Sequence, residues 1–306
     1  MAVLNPPRVI PGLGRSIVNF LIENRSTWDD ASLVEAFKPA GVNDDGNSAD
    51  GVRNTLSAFR AIGIIENGSE GSTVVASSVA AVGRSFDRTE FRRVMLRHVF
   101  DLDRDGDPWS VPSGEGLTSG ARDLSRALSW FLAQDALGEP LSWANNVEQL
   151  QNTQFATSEN DRWALVNDTR WSAFSRWAPA LGLATPSVVR SKPGLTPLPT
   201  LAVVDAVDEL QEGRLAVFEF LDLLSDRLPV LPGGVIRDGL ATRLGSDPDP
   251  GLQAHAVDSS LAQVFRILEA RGKLRFESLA DAEGVQLSPL DQARTTHVTL
   301  KGSKKR

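Results

Sequence analysis

Apolar residues recur at helical spacing along most of the chain, and in two stretches, 14–78 and 257–300, that spacing gives way to short β-prone runs. The first stretch opens with a predicted helix from Arg15 to Glu23, where Ile17, Val18, Leu21 and Ile22 form a stripe behind an extended, proline-bearing lead. A second helix is expected over Asp29 to Phe37, started by Asp29 or Asp30 and ended by Pro39. A third follows Ser48, its natural cap, with Val52, Leu56 and Phe59 on one face and Gly63 as its stop. Ile64-Ile65, the turn around Asn67-Gly68-Ser69-Glu70-Gly71 and Thr73-Val74-Val75 then read as strand, turn and strand. Near the other end, Leu201–Leu210, Arg214–Leu224 and Val235–Leu244 read as helices, the first two separated at Gly213. Ser259 or Ser260 caps a further helix through Leu261, Val264, Phe265 and Leu268. Gly272 ends it, and residues 273–277 pair with 296–300 across a long loop.

The middle is tryptophan-rich: Trp109, Trp130, Trp143, Trp163, Trp171 and Trp177 all lie there. Residues 77–83 lead into a helix from Thr89 to Leu102 with Phe91, Met95, Val99 and Leu102 on one side. A helix from Ser119 to Leu137 directs Leu124, Leu128, Phe131 and Leu132 inward and Arg122, Asp123 and Arg126 outward, and Trp171, Phe174 and Trp177 repeat the spacing later. Aromatic residues at such spacing among Leu and Ala build a core more naturally than a base-stacking platform. Pro186, Pro193, Pro197 and Pro199 mark 184–199 as an extended linker. The expected fold is mainly α with short β-hairpin wings: winged helix-turn-helix units at both ends around the helical middle. The expected domains are 14–80, 85–190 and 200–300, followed by a basic tail at 301–306.

Composition narrows the chemistry. The chain of 306 residues has no cysteine, which excludes disulfides, thiolate zinc sites and cysteine nucleophiles, and its imidazoles are His98, His255 and His297. Neither a signal-like start nor a run of membrane-spanning length stands out, so a cytoplasmic protein with no membrane partner is expected. The net charge of −7 argues against a coat of nucleic acid. It also hides an asymmetry, because residues 201–250 carry 4 basic and 10 acidic side chains whereas 251–306 carry 9 and 6.

Asp101-Leu-Asp-Arg-Asp-Gly-Asp107 opens like a calcium loop, but the twelfth position is Pro112 rather than a bidentate glutamate. An acidic turn is the plainer reading, and no metal or cofactor is expected. Gly12-Leu-Gly14 and Gly114–Gly120 are glycine-rich turns before helices without the ending of a phosphate-binding loop. Ser85 lacks the setting of a nucleophile elbow. Two polar groups carry more: Arg53, Asn54, Ser57 and Arg60 opposite the buried stripe of the third helix, and Arg266, Arg271, Lys273 and Arg275 around the last helix and its first strand. These residue types bond base edges and phosphates, although Asp44, Asp45 and Asp50 crowd the first group, and Arg271 and Lys273 also suit a helix C-terminus.

The N-terminal helices and hairpin, Gly120-Ala-Arg-Asp-Leu-Ser-Arg-Ala-Leu-Ser-Trp-Phe-Leu-Ala-Gln-Asp135 and Val264-Phe-Arg-Ile-Leu-Glu-Ala-Arg-Gly-Lys-Leu274 together resemble the DpdG-type proteins. Those come from bacterial gene clusters that insert 7-deazaguanine derivatives into DNA and restrict foreign DNA. The resemblance implies a component of a DNA-modification or phage-defence system and assigns no catalytic residue. The expectation is a non-enzymatic winged-helix adaptor or DNA-engaging subunit, whose partners are other subunits of such a complex and double-stranded DNA. The alternatives are a winged-helix transcription regulator and an enzyme using His98 and the 101–107 carboxylates.

Overall fold

Helices form over most of the stretches where the apolar spacing is regular, with short strands between them. The computed structural model describes residues 2–5, 8–24, 27–38, 47–110, 120–155, 165–244, 257–280, 283–287 and 294–301, and of residues 47 and 48 the backbone alone. Pro39, Asp44, Asp45, the cap at Ser48, Gly114, Gly116, Trp163, His255 and the tail beyond Lys301 lie outside the described residues. The chain forms two compact units, Met1–Leu124 with Ala164–Leu181, and Ser125–Trp163 with Gly182–Arg306. The tryptophan-rich stretch contributes to both.

Helix α1 spans Pro11–Glu23. It starts four residues before the expected Arg15, because Pro11, at the first turn, is pre-set for helical φ and needs no N–H partner there. Gly12 and Gly14 therefore lie inside a helix and not in a turn. A Cβ on Gly14 would come within 2.1 Å of the Phe59 ring, so this glycine sets the close approach of α1 to the third helix. Helix α2 spans Asp30–Phe37, with the Asp29 carboxylate accepting from Ser32 N at its start. Helix α3 spans Asn47–Ala61 and buries Val52, Leu56 and Phe59 as the spacing predicts. Gly63, at φ +71°, supplies the left-handed residue that ends it. Strands β1 (Ile65–Asn67) and β2 (Thr73–Val75) form the expected antiparallel hairpin, and a single antiparallel bridge joins Asp29 to Ser72.

Helix α4 (Ser77–Ala80) precedes α5 (Arg88–Val99), which opens with a capping box between Asp87 and Glu90. The expected run to Leu102 stops at Val99, because the Asp101 carboxylate accepts from Arg104 N and starts a separate turn, α6 (Leu102–Asp105). Helix α7 covers Arg122–Leu132. Leu124, Leu128, Phe131 and Leu132 are buried, but so are Asp123 and Arg126, against the outward placement expected from periodicity. At Asp123 the reason is a distant partner: Leu4 N donates to its carboxylate, and Ala2 bridges Gly120, so Ala2, Val3 and Leu4 are buried.

Helices α8 (Glu148–Gln154) and α9 (Asp168–Ala180) follow. In the first unit, Trp177 on α9 stacks on Phe59, which stacks on Phe91, so these aromatics are core. The expected linker at 184–199 is instead a packed hairpin, β3 (Thr185–Pro186) against β4 (Leu195–Thr196), with Pro197 and Pro199 buried. Helix α10 (Thr200–Asp208) leads into β5 (Gly213–Ala216), a strand where a helix was expected. Helices α11 (Val217–Arg227), α12 (Val235–Ala241) and α13 (Ser259–Ala270) follow, the last capped by Asp258 and not by a serine. Strands β6 (Leu274–Glu277) and β7 (His297–Leu300) pair as expected, and their antiparallel register puts Leu274 opposite Leu300 and Glu277 opposite His297. Strand β7 also pairs with β5, which makes a three-stranded antiparallel sheet in the order β5-β7-β6. Phe220, Phe265 and Phe276 pack together beneath it.

Candidate nucleic-acid interface

The first polar group lies on α3. Arg53 is exposed and pairs with Asp50 one turn earlier at 3.4 Å, while Asn54 and Ser57 are half-buried beside it. Arg60 is used differently. Its guanidinium forks onto the Asp30 carboxylate at 3.2 and 2.7 Å and reaches Thr73 Oγ1 at 3.0 Å, tying α3 to the start of α2 and to β2. Burial disfavours the charged carboxylate of Asp30, but the hydrogen bonds from Arg60 and Thr73 and the Arg60 charge outweigh it and hold Asp30 below its ordinary value. On this face Arg53 is exposed, whereas Arg60 is committed to the fold.

The second group divides between a helix and a sheet. Arg266 and Arg271 are exposed on α13 and at its end. Lys273 reaches back to Asp208 at the end of α10, and Arg275 is exposed on β6. Register adds two residues that the sequence reading passed over. Arg214, read there as helical, stands opposite Thr299, which stands opposite Arg275, and Lys301, read as tail, donates its N–H to Lys273 O. The detectable signal was the alternation of Lys273 and Arg275 with Leu274 and Phe276, and of His297, Thr299 and Lys301 with Val298 and Leu300. Arg214 pairs with Glu277 at 2.9 Å, and a hydrogen bond from Thr299 and the charges of Arg214 and Arg275 keep Glu277 below its ordinary value against the effect of burial.

The groups read as possible catalysts are placed elsewhere. His98 Nδ1 lies 2.9 Å from Ile62 O, and the Arg104 guanidinium bonds Ile62 O and His98 O, so the pair closes the end of α3. Burial pushes His98 below its ordinary value. Asp101 accepts from Arg104 N at 3.0 Å, Asp105 from Ala121 N at 2.9 Å and Asp107 from Trp109 N at 2.9 Å, so these three carboxylates serve separate backbone amides. Among the described residues, no three His, Asp or Glu side chains gather in a way that could hold a metal ion. Nor is any described helix long and apolar enough to cross a membrane.

A family model described as DpdG-like matches residues 1–282. The chain belongs to the DpdG-like family. DpdG-like membership suggests a part in a DpdG-type DNA-modification system. No curated protein matches the chain, and no solved structure does.

Proposed function

We propose that this DpdG-like chain is a non-enzymatic winged-helix adaptor or DNA-engaging subunit of a DNA-modification and phage-defence complex, with winged-helix segments at 14–80 and 200–300. The observation that carries the reading is strand order. At the C-terminal end, helix α10, strand β5, helices α11 to α13 and strands β6 and β7 follow one another, and the last strand takes the centre of the sheet. A winged helix runs helix, strand, helix, helix, strand, strand with its last strand central, and this segment supports the reading by following that order with one further helix. The N-terminal elements repeat it, with the Asp29–Ser72 bridge in place of a first strand and β2 in the centre. The engagement of Asp101, Asp105 and Asp107 with backbone amides and the half-buried, backbone-bonded His98 favour a binding role over an enzymatic one.

The test is size-exclusion chromatography of the chain with the other proteins of its gene cluster, with and without duplex DNA. Co-elution with either is the expected result. A chain that elutes alone from every mixture overturns the proposal.

A further inference from the structure

We propose that the outer face of the β5-β7-β6 sheet is a binding surface for the phosphate backbone of duplex DNA, an inference that rests on the DNA-engaging form of the reading above. Winged helices are expected to present a helix to the groove. Here the register points to the sheet.

Side chains alternate across a strand, and the inward set is Leu215, Leu274, Phe276, Val298 and Leu300. The outward set brings Arg214, Lys273, Arg275 and Lys301 onto one face with Thr299 and Glu277. Pleated geometry spaces such positions about 5 Å across strands and about 7 Å along them, the scale on which phosphates repeat along a nucleic-acid strand. The set opposes two cations directly, Lys273 and Lys301, an arrangement that cross-strand repulsion disfavours. Asp208 neutralises Lys273, and Glu277 lies against Arg214, which leaves the exposed Arg275 and Lys301 as the outward charge. In a chain of net charge −7, with 10 acidic residues in the preceding 201–250, this face reverses the local sign. A polyanion is the complementary occupant. An anionic partner would displace Glu277 from Arg214 and recruit a third cation.

The test is fluorescence anisotropy of the full chain with a labelled duplex of about 30 base pairs, titrated between about 50 and 200 mM salt. Wild type, Arg275→Ala/Lys301→Ala and Glu277→Gln are compared, with thermal unfolding confirming that each is folded. The double variant should bind more weakly, with a slope of log affinity against log salt shallower by about 2, since each lost phosphate contact removes about 0.9. Glu277→Gln, which keeps the oxygen that Thr299 bonds, should bind several-fold more tightly. Wild-type binding with an unchanged slope in the double variant, or no tightening in Glu277→Gln, overturns the sheet as the site and leaves the DNA-engaging reading standing. Absence of wild-type binding at about 50 mM salt overturns both, and an acidic protein then becomes the occupant to seek.

Discussion

The N-terminal and C-terminal helix-and-strand segments both place their last strand in the centre, yet the first builds its outer strand as one bridge at Asp29 and the second builds four paired residues in β5. Where strand pairing is short, side chains take over. Asp29 caps α2, and Asp30 holds Arg60 and Thr73, so the cation that most resembles a DNA contact becomes a clamp. Where the strand is complete, backbone hydrogen bonds carry the join, and Arg275 and Lys301 remain exposed while Lys273 alone of these reaches back to Asp208. Basic residues at comparable places in the two segments are therefore not equivalent. What decides their use is how much of the joining is done by the backbone.

The strongest way to break the C-terminal segment lies in its core. Arg237 is 2% exposed, donates to Ser129 O at 3.0 Å and faces Asp258, the cap of α13. Arg237→Ala should cost about 4 kcal/mol in urea unfolding, since it strands buried acceptors. The matching break in the N-terminal segment is Gly14→Ala, whose new methyl must displace the Phe59 ring and should cost about 3 kcal/mol by the same measurement.

A third effect sharpens the contrast through pH. Burial, working against the hydrogen bond from Leu4 and the charge of Arg170, raises Asp123 to about 6. A folded value above the unfolded one means that the carboxyl's contribution is fully present below pH 3.8 and is lost as pH rises through 6. Relative to wild type, Asp123→Asn should therefore gain about 2 kcal/mol between pH 4 and 7, which unfolding curves at the two pH values would detect. Flat curves would show that the lead segment does not bury this carboxylate in solution.

Smaller still is the clamp. A double-mutant cycle of Arg60→Ala and Asp30→Ala should give a coupling of about 1.5 kcal/mol, discounted because the Asp30 side chain is 51% exposed. The same cycle at Arg214 and Glu277 should give less. A reversed ranking would end the distinction between clamping and surface cations. Arg53→Ala should leave stability unchanged, because Arg53 and its partner Asp50 are both more than half exposed.

Local pattern accounts for the parts that were legible. The stripe Val52, Leu56 and Phe59, the turn at Asn67–Gly71 and the pairing of 273–277 with 296–300 all depend on neighbours a few residues apart or on one clear alternation. The illegible parts depend on distant partners. Arg214–Ala216 continue a helical pattern into α11, and only pairing with His297–Leu300 makes them a strand. Asp123 looks solvent-facing until Leu4, 119 residues earlier, donates to it. Arg60 looks free for contact until Asp30 is brought beside it, and that single displacement changed the candidate site more than any misjudged helix boundary.

The stacking of Trp177 on Phe59 has a consequence for synthesis. The first unit receives its last helix only after the ribosome has also made residues 125–163, which belong to the other unit. Elongation at about 5–20 residues per second leaves Phe59 and Phe91 without Trp177 for on the order of ten seconds. During that interval the nascent chain offers a chaperone an aromatic surface that the finished protein hides.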